Sequence, residues 1–299
     1  MANPKMRRTL EAGGMVVAPG VYDPSTARLI QAMGFEYLYI GGNQTGIANG
    51  IPEPLEDVTL LSHVGRTVVR ACDNEMPVIL DASAGFGDPV HVMHTVESFE
   101  MAGITAIHIE DQFFPKRVSY HRGLEHVVPI DVYQQRLEYA VKARKNKDFL
   151  IIGRTDGARA TADTWMPKGG TKEEALKRAM AAVEVGVDAL MILGDFNRED
   201  YQYFRSKIKD IPMVGLISTK TAESRSTGVP DFQNLGYQIL IYSRSTIVAV
   251  LGAVNGIYEH LIQSGRPAKV NAGNVDKENQ ITNAITGLER KVSIAATAK

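Results

Sequence analysis

Acidic, basic and hydroxyl residues gather in this chain where short apolar runs end. The run Tyr37–Gly42 passes Tyr39 and ends at Gly41-Gly42-Asn43, and Pro77–Ser83 ends at Asp81 and Ser83. Ala106–Gln112 ends at His108, Glu110, Asp111 and Gln112, and Leu150–Asp156 at Arg154, Thr155 and Asp156. Three later runs end at Asp195, Ser218 and Ser243. Carboxylates that converge suit Mg2+ or Mn2+, which take oxygen ligands and keep several waters. Such a cation polarises a carboxylate or carbonyl oxygen and stabilises an enolate. The metal candidates are Asp81 and Glu110. A Gly41-Gly42 turn lets backbone N–H groups approach a substrate carboxylate closely, and Arg154 has the fork to clamp another. After the fourth run, Phe113–Gly123 has neither helical nor strand period and carries Lys116, Arg117, Ser119, Tyr120, His121 and Arg122. It reads as a lid over an anionic substrate, with His121 or Tyr120 able to move a proton once water is excluded. Other readings apply residue by residue. Asp23, Asp88 and Asp131 precede helical segments and suit N-caps. Arg154 and Asp156 suit a structural ion pair, and His108 suits a hydrogen-bonded interior position.

Elements must bring these groups together. The four runs above, with Met15–Ala18, Ala189–Asp195, Pro212–Ser218 and Tyr237–Ser243, make eight, most of them apolar almost throughout, as strands buried on both faces are. Between them lie helical segments such as Val64–Asp73, Asp88–Gly103, Asp131–Lys145 and Thr171–Gly186, several stopped by glycine. This alternation is the grammar of βα units with right-handed crossovers. Eight of them predict an α/β fold, a (β/α)8 TIM barrel with an appended C-terminal helical tail. All the polar run ends would then share one rim, where barrel enzymes do chemistry. The barrel is expected over residues 1–265 and the tail over 266–299, with helical spacing in Asn279–Arg290 and a neighbouring subunit as the surface it packs on. The 299 residues, 44% apolar, suffice for such a core. A net charge of −1 offers no field for nucleic acid or an anionic membrane. No apolar run approaches the ~20 residues that span a bilayer, and the polar start Met1–Leu10 is unlike a signal peptide. The single cysteine, Cys72, rules out an intrachain disulfide and fits a reducing, cytoplasmic setting.

Three segments resemble the isocitrate lyase / phosphoenolpyruvate mutase superfamily, nearest to its 2-methylisocitrate and 2,3-dimethylmalate lyase branch. They are Pro77–Gly87 (PVILDASAGFG), HIEDQ with the following FFPKRVSYH, and IIGRTDGARA. The resemblance extends from about Gly20 to Gly265. It implies a barrel, a Mg2+-bound enolate of a small 2-oxo acid, and dimers or tetramers that exchange a C-terminal helix. Gly41, Gly42 and Asn43 stand where the family holds a substrate carboxylate. Asp81 matches the first acid of its Asp-x-Asp, Glu110 its strand-four acid, Lys116 and His121 the lid lysine and histidine, Arg154 its carboxylate-binding arginine, and Glu53 an outer-shell acid. The second acid of the Asp-x-Asp is Ser83 here. The lid Lys116–His121 is one residue longer and lacks the lyase cysteine. Strand six reads Leu193-Gly194-Asp195 in place of a Pro-Glu pair, and Leu216 replaces a common asparagine. The candidate catalytic set is Lys116, Ser119, Tyr120, His121 and Glu110. Tyr39, Gly41, Gly42, Asn43, Ser83, Arg154, Asp195 and Ser218 form the substrate set. The expected activity is C–C bond cleavage of a small 2-hydroxy or 2-oxo acid other than isocitrate or 2-methylisocitrate. The alternatives are a P–C bond mutase or hydrolase and a non-catalytic carboxylate-binding relative.

Overall fold

Every one of the eight apolar runs contains a strand in the computed structural model, which describes residues 2–116, 126–163, 166–217, 227–268 and 275–297. The strands are β1 (Val16–Pro19), β2 (Leu38–Ile40), β3 (Val78–Asp81), β4 (Ala106–Glu110), β5 (Leu150–Thr155), β6 (Ala189–Ile192), β7 (Met213–Ile217) and β8 (Ile239–Tyr242). They pair in parallel in the order β1-β8-β7-β6-β5-β4-β3-β2. The ring closes where the Val21 N–H donates to the Tyr39 carbonyl at 2.8 Å and Gly20 bridges Tyr39. The chain is therefore an α/β TIM-type barrel, and every residue of β2 to β6 is buried.

Strand periodicity sorts the side chains into two cores. Leu38, Ile40, Val78, Leu80, Ile107, Ile109 and Ile151 face the helices. Val16, Ala18, Tyr39, Ile79, Ala106, Ile152, Met191 and Ile241 fill the barrel interior. The interior set places Asp81, two residues after Ile79, and Arg154, two after Ile152, inside the barrel at its carboxyl end. Register completes the layer, with Asp81 beside His108 and Glu110 beside Arg154. The opposite end is stoppered by helix α1 (Lys5–Glu11), whose Met6 and Leu10 join the interior cluster.

The helices start largely as their sequences require. Asp23 caps α2 (Pro24–Ala32), its carboxylate accepting the Thr26 N–H at 2.7 Å. Helix α3 is Gly42–Ala48, and α4 (Val58–Ala71) buries Cys72 just beyond its end. Asp88 caps α5 (Pro89–Met101), and Thr171 caps α7 (Lys172–Glu184). Asp131 does not cap α6 (Ile130–Ala143): that position is Pro129, and Asp131 lies in the first turn. A proline before the helix presets the entry, and an acid in the first turn still meets the positive end of the helix dipole. Helices α8 (Arg198–Lys207) and α9 (Val229–Asn234) follow β6 and β7.

Two features depart from the sequence reading. Gly41-Gly42 is not a glycine turn: Gly41 is extended (φ −100°) and Gly42 begins α3. Space, not dihedral freedom, demands glycine here. A Cβ at Gly41 would lie 2.9 Å from the Tyr39 ring, and one at Gly42 would lie 2.9 Å from the Glu56 carboxylate. The second feature is α10 (Ser245–Ser264), 20 residues with an 18-residue stretch of mean hydropathy 1.3, long and apolar enough by length and composition to cross a membrane. Asn255, Glu259 and His260 interrupt its apolar run in sequence. Ile247 is its one buried residue, and α10 ends at Gly265, whose φ of +66° suits a left-handed cap. The tail holds two helices, α11 (Val275–Thr286) and α12 (Leu288–Ala296), separated by Gly287. Within the single chain α11 lies on α2, where Arg28 donates to the Ile285 carbonyl at 3.4 Å.

Candidate active site

The ends of β2 to β5, with Lys116 after β4 and Glu53 from a short 3-10 turn (Glu53–Leu55), build a buried charge cluster at the barrel mouth. Arg154, on β5, places Nη1 2.9 Å from Glu110 Oε2 and 3.4 Å from Asp81 Oδ2, and Nη2 3.1 Å from Asp156. Lys116, six residues after β4 ends, brings Nζ to 2.6 Å from Glu53, 3.1 Å from Glu110 and 4.0 Å from Asp81. Asp81 Oδ1 accepts the Ser83 N–H at 2.8 Å, and Oδ2 faces the Gly42 N–H at 3.4 Å. His108 lies beneath, its Nε2 3.0 Å from the Tyr39 hydroxyl and its Nδ1 3.7 Å from Asp81.

A second polar layer holds Arg154 in place. Asp111 accepts the Thr155 hydroxyl at 2.5 Å and the Asp156 N–H at 2.9 Å, and Gln112 donates to Asp156 at 2.8 Å. Arg178 reaches Asp111 at 3.3 Å, and Arg136 donates to the Glu110 carbonyl at 2.6 Å. Asp111, Gln112 and Asp156 are therefore supports. The base of the expected lid is pinned as well: Phe113 N–H donates to the His126 carbonyl at 3.1 Å, and His126 pairs with Asp163 at 2.7 Å.

The charges bias one another. Burial pushes Glu110 up, against the pull of Arg154 and Lys116, to about 7. Burial also raises Asp81, but Lys116 and Arg154 hold it well below the usual carboxylate range. For Lys116 burial favours loss of the proton, yet Asp81, Glu110 and Glu53 hold its pKa well above the ordinary value. His108 is lowered by burial to about 4 and is neutral. Glu56, next to the cluster, is pushed up to about 9 by burial and by the charges of Asp81 and Glu53.

The cluster opens on a cavity of about 150 Å3. Tyr39, Gly41, Gly42, Asn43, Asp81, Lys116 and Arg154 line it, as the sequence suggested, together with Glu53. Glu110 and Ser83 do not: Glu110 is wholly buried behind Lys116 and Arg154, and Ser83 sits behind Asp81. Asp195 is exposed and outside the cavity, because β6 ends at Ile192 and the chain turns outward before Asp195. Ser119, Tyr120, His121 and Ser218 lie outside the described residues. Sequence reasoning did not single out Met191, Arg159 or Arg244, and it noted Leu193 and Leu216 only as departures from a pattern, yet all five line the cavity. The signal for Met191 and Leu216 was there, since both occupy inward positions of their strands. Arg159 and Arg244 are rim loop residues without periodicity to mark them.

The residues present do not fit a resident Mg2+ with Asp81 and Glu110 as its ligands. The oxygens such an ion needs already face cations: Glu110 lies between Lys116 and Arg154, and Asp81 Oδ2 faces Arg154.

The chain matches the phosphoenolpyruvate phosphomutase family over residues 6–262. The 2-methylisocitrate lyase of Aeropyrum pernix is 32% identical over 264 residues, covering 87% of this chain and 80% of the relative. The 2,3-dimethylmalate lyase of Eubacterium barkeri is 32% identical over 260 residues, covering 86% and 85%. Oxaloacetate acetylhydrolase, solved with the inhibitor 3,3-difluorooxalacetate, superposes with a TM-score of 0.85 at 25% identity, covering 98% of this chain and 96% of the other. Phosphonopyruvate hydrolase, solved with oxalate and Mg2+, shares the fold with a TM-score of 0.82 at 24% identity, covering 99% of both chains.

Proposed function

Since the chain belongs to the phosphoenolpyruvate phosphomutase family, within the isocitrate lyase / phosphoenolpyruvate mutase superfamily, we propose that it cleaves a C–C bond of a small 2-hydroxy or 2-oxo carboxylic acid through an enolate. One observation carries this reading: the cavity presents the Arg154 guanidinium and the Lys116 ammonium, beside Asp81 and Glu53, together with an apolar wall of Met191, Leu193 and Leu216. A substrate carboxylate suits the guanidinium fork, and a hydrocarbon substituent suits the apolar wall. Cleavage leaves the electron pair beside a carboxylate, as an enolate whose oxygen the Lys116 ammonium and Arg154 guanidinium stabilise. Glu110 positions both cations from behind. Lys116 keeps its proton, so we assign the acid and base to the segment after it, where Ser119, Tyr120 and His121 are the candidates. The lid lacks the lyase cysteine, which argues against isocitrate and 2-methylisocitrate.

Arg159 and Arg244 at the rim favour a second reading, P–C bond chemistry on a phosphonopyruvate-like substrate, because further guanidinium groups suit a phosphonate. The experiment is a panel of oxaloacetate, malate, alkylmalates, 2-methylisocitrate and phosphonopyruvate. Cleavage of an alkylmalate or oxaloacetate supports the lyase, and turnover of phosphonopyruvate alone moves the assignment to P–C chemistry. Tight oxalate binding without any turnover would make the chain a carboxylate-binding relative. We further assign residues 1–265 to the catalytic barrel, 266–299 to a helical tail, and the working form to a homodimer or homotetramer in the cytoplasm. The apolar, exposed face of α10, with Val248, Leu251, Val254 and Ile262, supports association with a second copy. A monomer by light scattering would refute it.

A further inference from the structure

We infer that the ammonium of Lys116 occupies the role of a resident divalent cation in this chain, and that Ser83 is the residue that decides it. The inference rests on the oxo-acid site proposed above, but on its charges and not on its chemistry.

Three buried or nearly buried carboxylates, Glu53, Asp81 and Glu110, surround Lys116 Nζ at 2.6, 4.0 and 3.1 Å. Side-chain exposures of 4% for Lys116, 9% for Glu53, 7% for Asp81 and 0% for Glu110 leave little water to screen them. Such anions are costly to hold out of water unless a cation compensates them. A hard divalent ion needs oxygen ligands with negative charge to spare. Here the charge is already spent: Glu53 and Glu110 face Lys116, Glu110 and Asp81 face Arg154, and Asp156 faces Arg154 and Arg159. A divalent ion entering this cluster would have to displace Lys116 or Arg154 from the carboxylates they already face.

Position 83 sets that balance. Its N–H donates to Asp81 Oδ1 at 2.8 Å, and its carbonyl accepts the Glu110 N–H at 2.9 Å, so it lies between the two acids. Its φ is +50°. Among non-glycine residues, aspartate and asparagine accept that left-handed conformation best, so an acid is sterically at home there. Serine keeps the backbone bridge and withholds one negative charge. The Lys116 ammonium and the Arg154 guanidinium then have one anion fewer to compensate.

Direct metal binding tests this without any turnover. Mn2+ is titrated into the full-length protein and the free ion is followed by electron paramagnetic resonance. The wild type should leave millimolar Mn2+ free. Ser83→Asp should bind it at least roughly tenfold more tightly. Lys116→Met, with circular dichroism to check its fold, should gain binding as well. Tight Mn2+ binding by the wild type overturns the inference, and a Ser83→Asp variant that binds no better than wild type overturns the role given to position 83. Oxalate is the second probe, titrated calorimetrically with EDTA and with Mg2+. Affinities equal within about twofold support a built-in cation, and binding that requires Mg2+ overturns it. Oxalate that binds under neither condition counts against the proposed function, while the Mn2+ titration still decides the present inference.

Discussion

On the β2–β5 side of the barrel mouth, Asp81, Glu110, Lys116 and Arg154 are buried and face opposite charges at distances from 2.6 to 3.4 Å. On the β6–β8 side, Met191, Leu193 and Leu216 offer apolar surface, and Arg244 is exposed with no ion pair among the described residues. The same architecture supports both, because in a parallel barrel each strand end is free to carry its own residue while the strand behind it stays apolar. The charged half is over-determined: each side chain has several partners, and a further layer through Asp111, Asp156 and Arg178 fixes it. The apolar half is held by packing on the barrel interior rather than by paired charges. In the proposed reaction, preorganised charge would serve the enolate step and the apolar wall the substituent of the substrate.

Breaking the charged half should give the largest effect. Arg154→Ala leaves Asp81, Glu110 and Asp156 buried without their guanidinium, a loss of about 3–5 kcal/mol in urea unfolding. Calorimetry should show oxalate affinity reduced by more than about a hundredfold. If both values match wild type, the cluster is neither a binding site nor a support.

Leu216→Asn should be milder and selective. It places an amide on the apolar wall, so the ratio of kcat/KM for an alkylmalate over oxaloacetate should fall by about tenfold, as expected for a hydrophobic contact. An equal change for both substrates would mean that the wall does not read the substituent.

Glu56 gives a pH test of the charged half alone. Its folded pKa of about 9 lies far above the ordinary carboxylate value. The folded protein therefore keeps a proton that the unfolded chain releases. That contribution to stability is complete below the ordinary value of 4.5 and is lost as pH rises toward about 9. Glu110, pushed up to about 7, acts with the same sign over a narrower window. Between about pH 5 and about pH 9, the Tm of Glu56→Gln should fall by several degrees less than that of wild type. Parallel profiles would show that Glu56 titrates normally.

The smallest effect is expected at Asp195, exposed beyond the end of β6. Asp195→Ala should change oxalate affinity by less than about twofold, a coupling below about 0.5 kcal/mol. A loss comparable to that of Arg154→Ala would mean that this loop folds into the mouth when ligand binds.

Sequence reasoning reached the eight strands, their parallel order around a barrel, and the gathering of Tyr39, Asp81, Lys116 and Arg154, because hydrophobic periodicity and the rim rule act locally and repeat eight times. It also found the missing acid at Ser83 and the missing lid cysteine, both of which are absences within a motif. Three things only the tertiary structure decided. The close approach of Gly42 to the Glu53 and Glu56 carboxylates is a contact that only the fold supplies. Glu110 supports the cavity from behind without lining it, since its depth depends on how Lys116 and Arg154 fill the space in front. The ammonium among three carboxylates is an arrangement of residues 53, 81, 110 and 116, drawn from four separate segments. Charge balance in a buried site is a sum over neighbours in space, and a one-dimensional pattern contains the residues of that sum but not the distances that weight them.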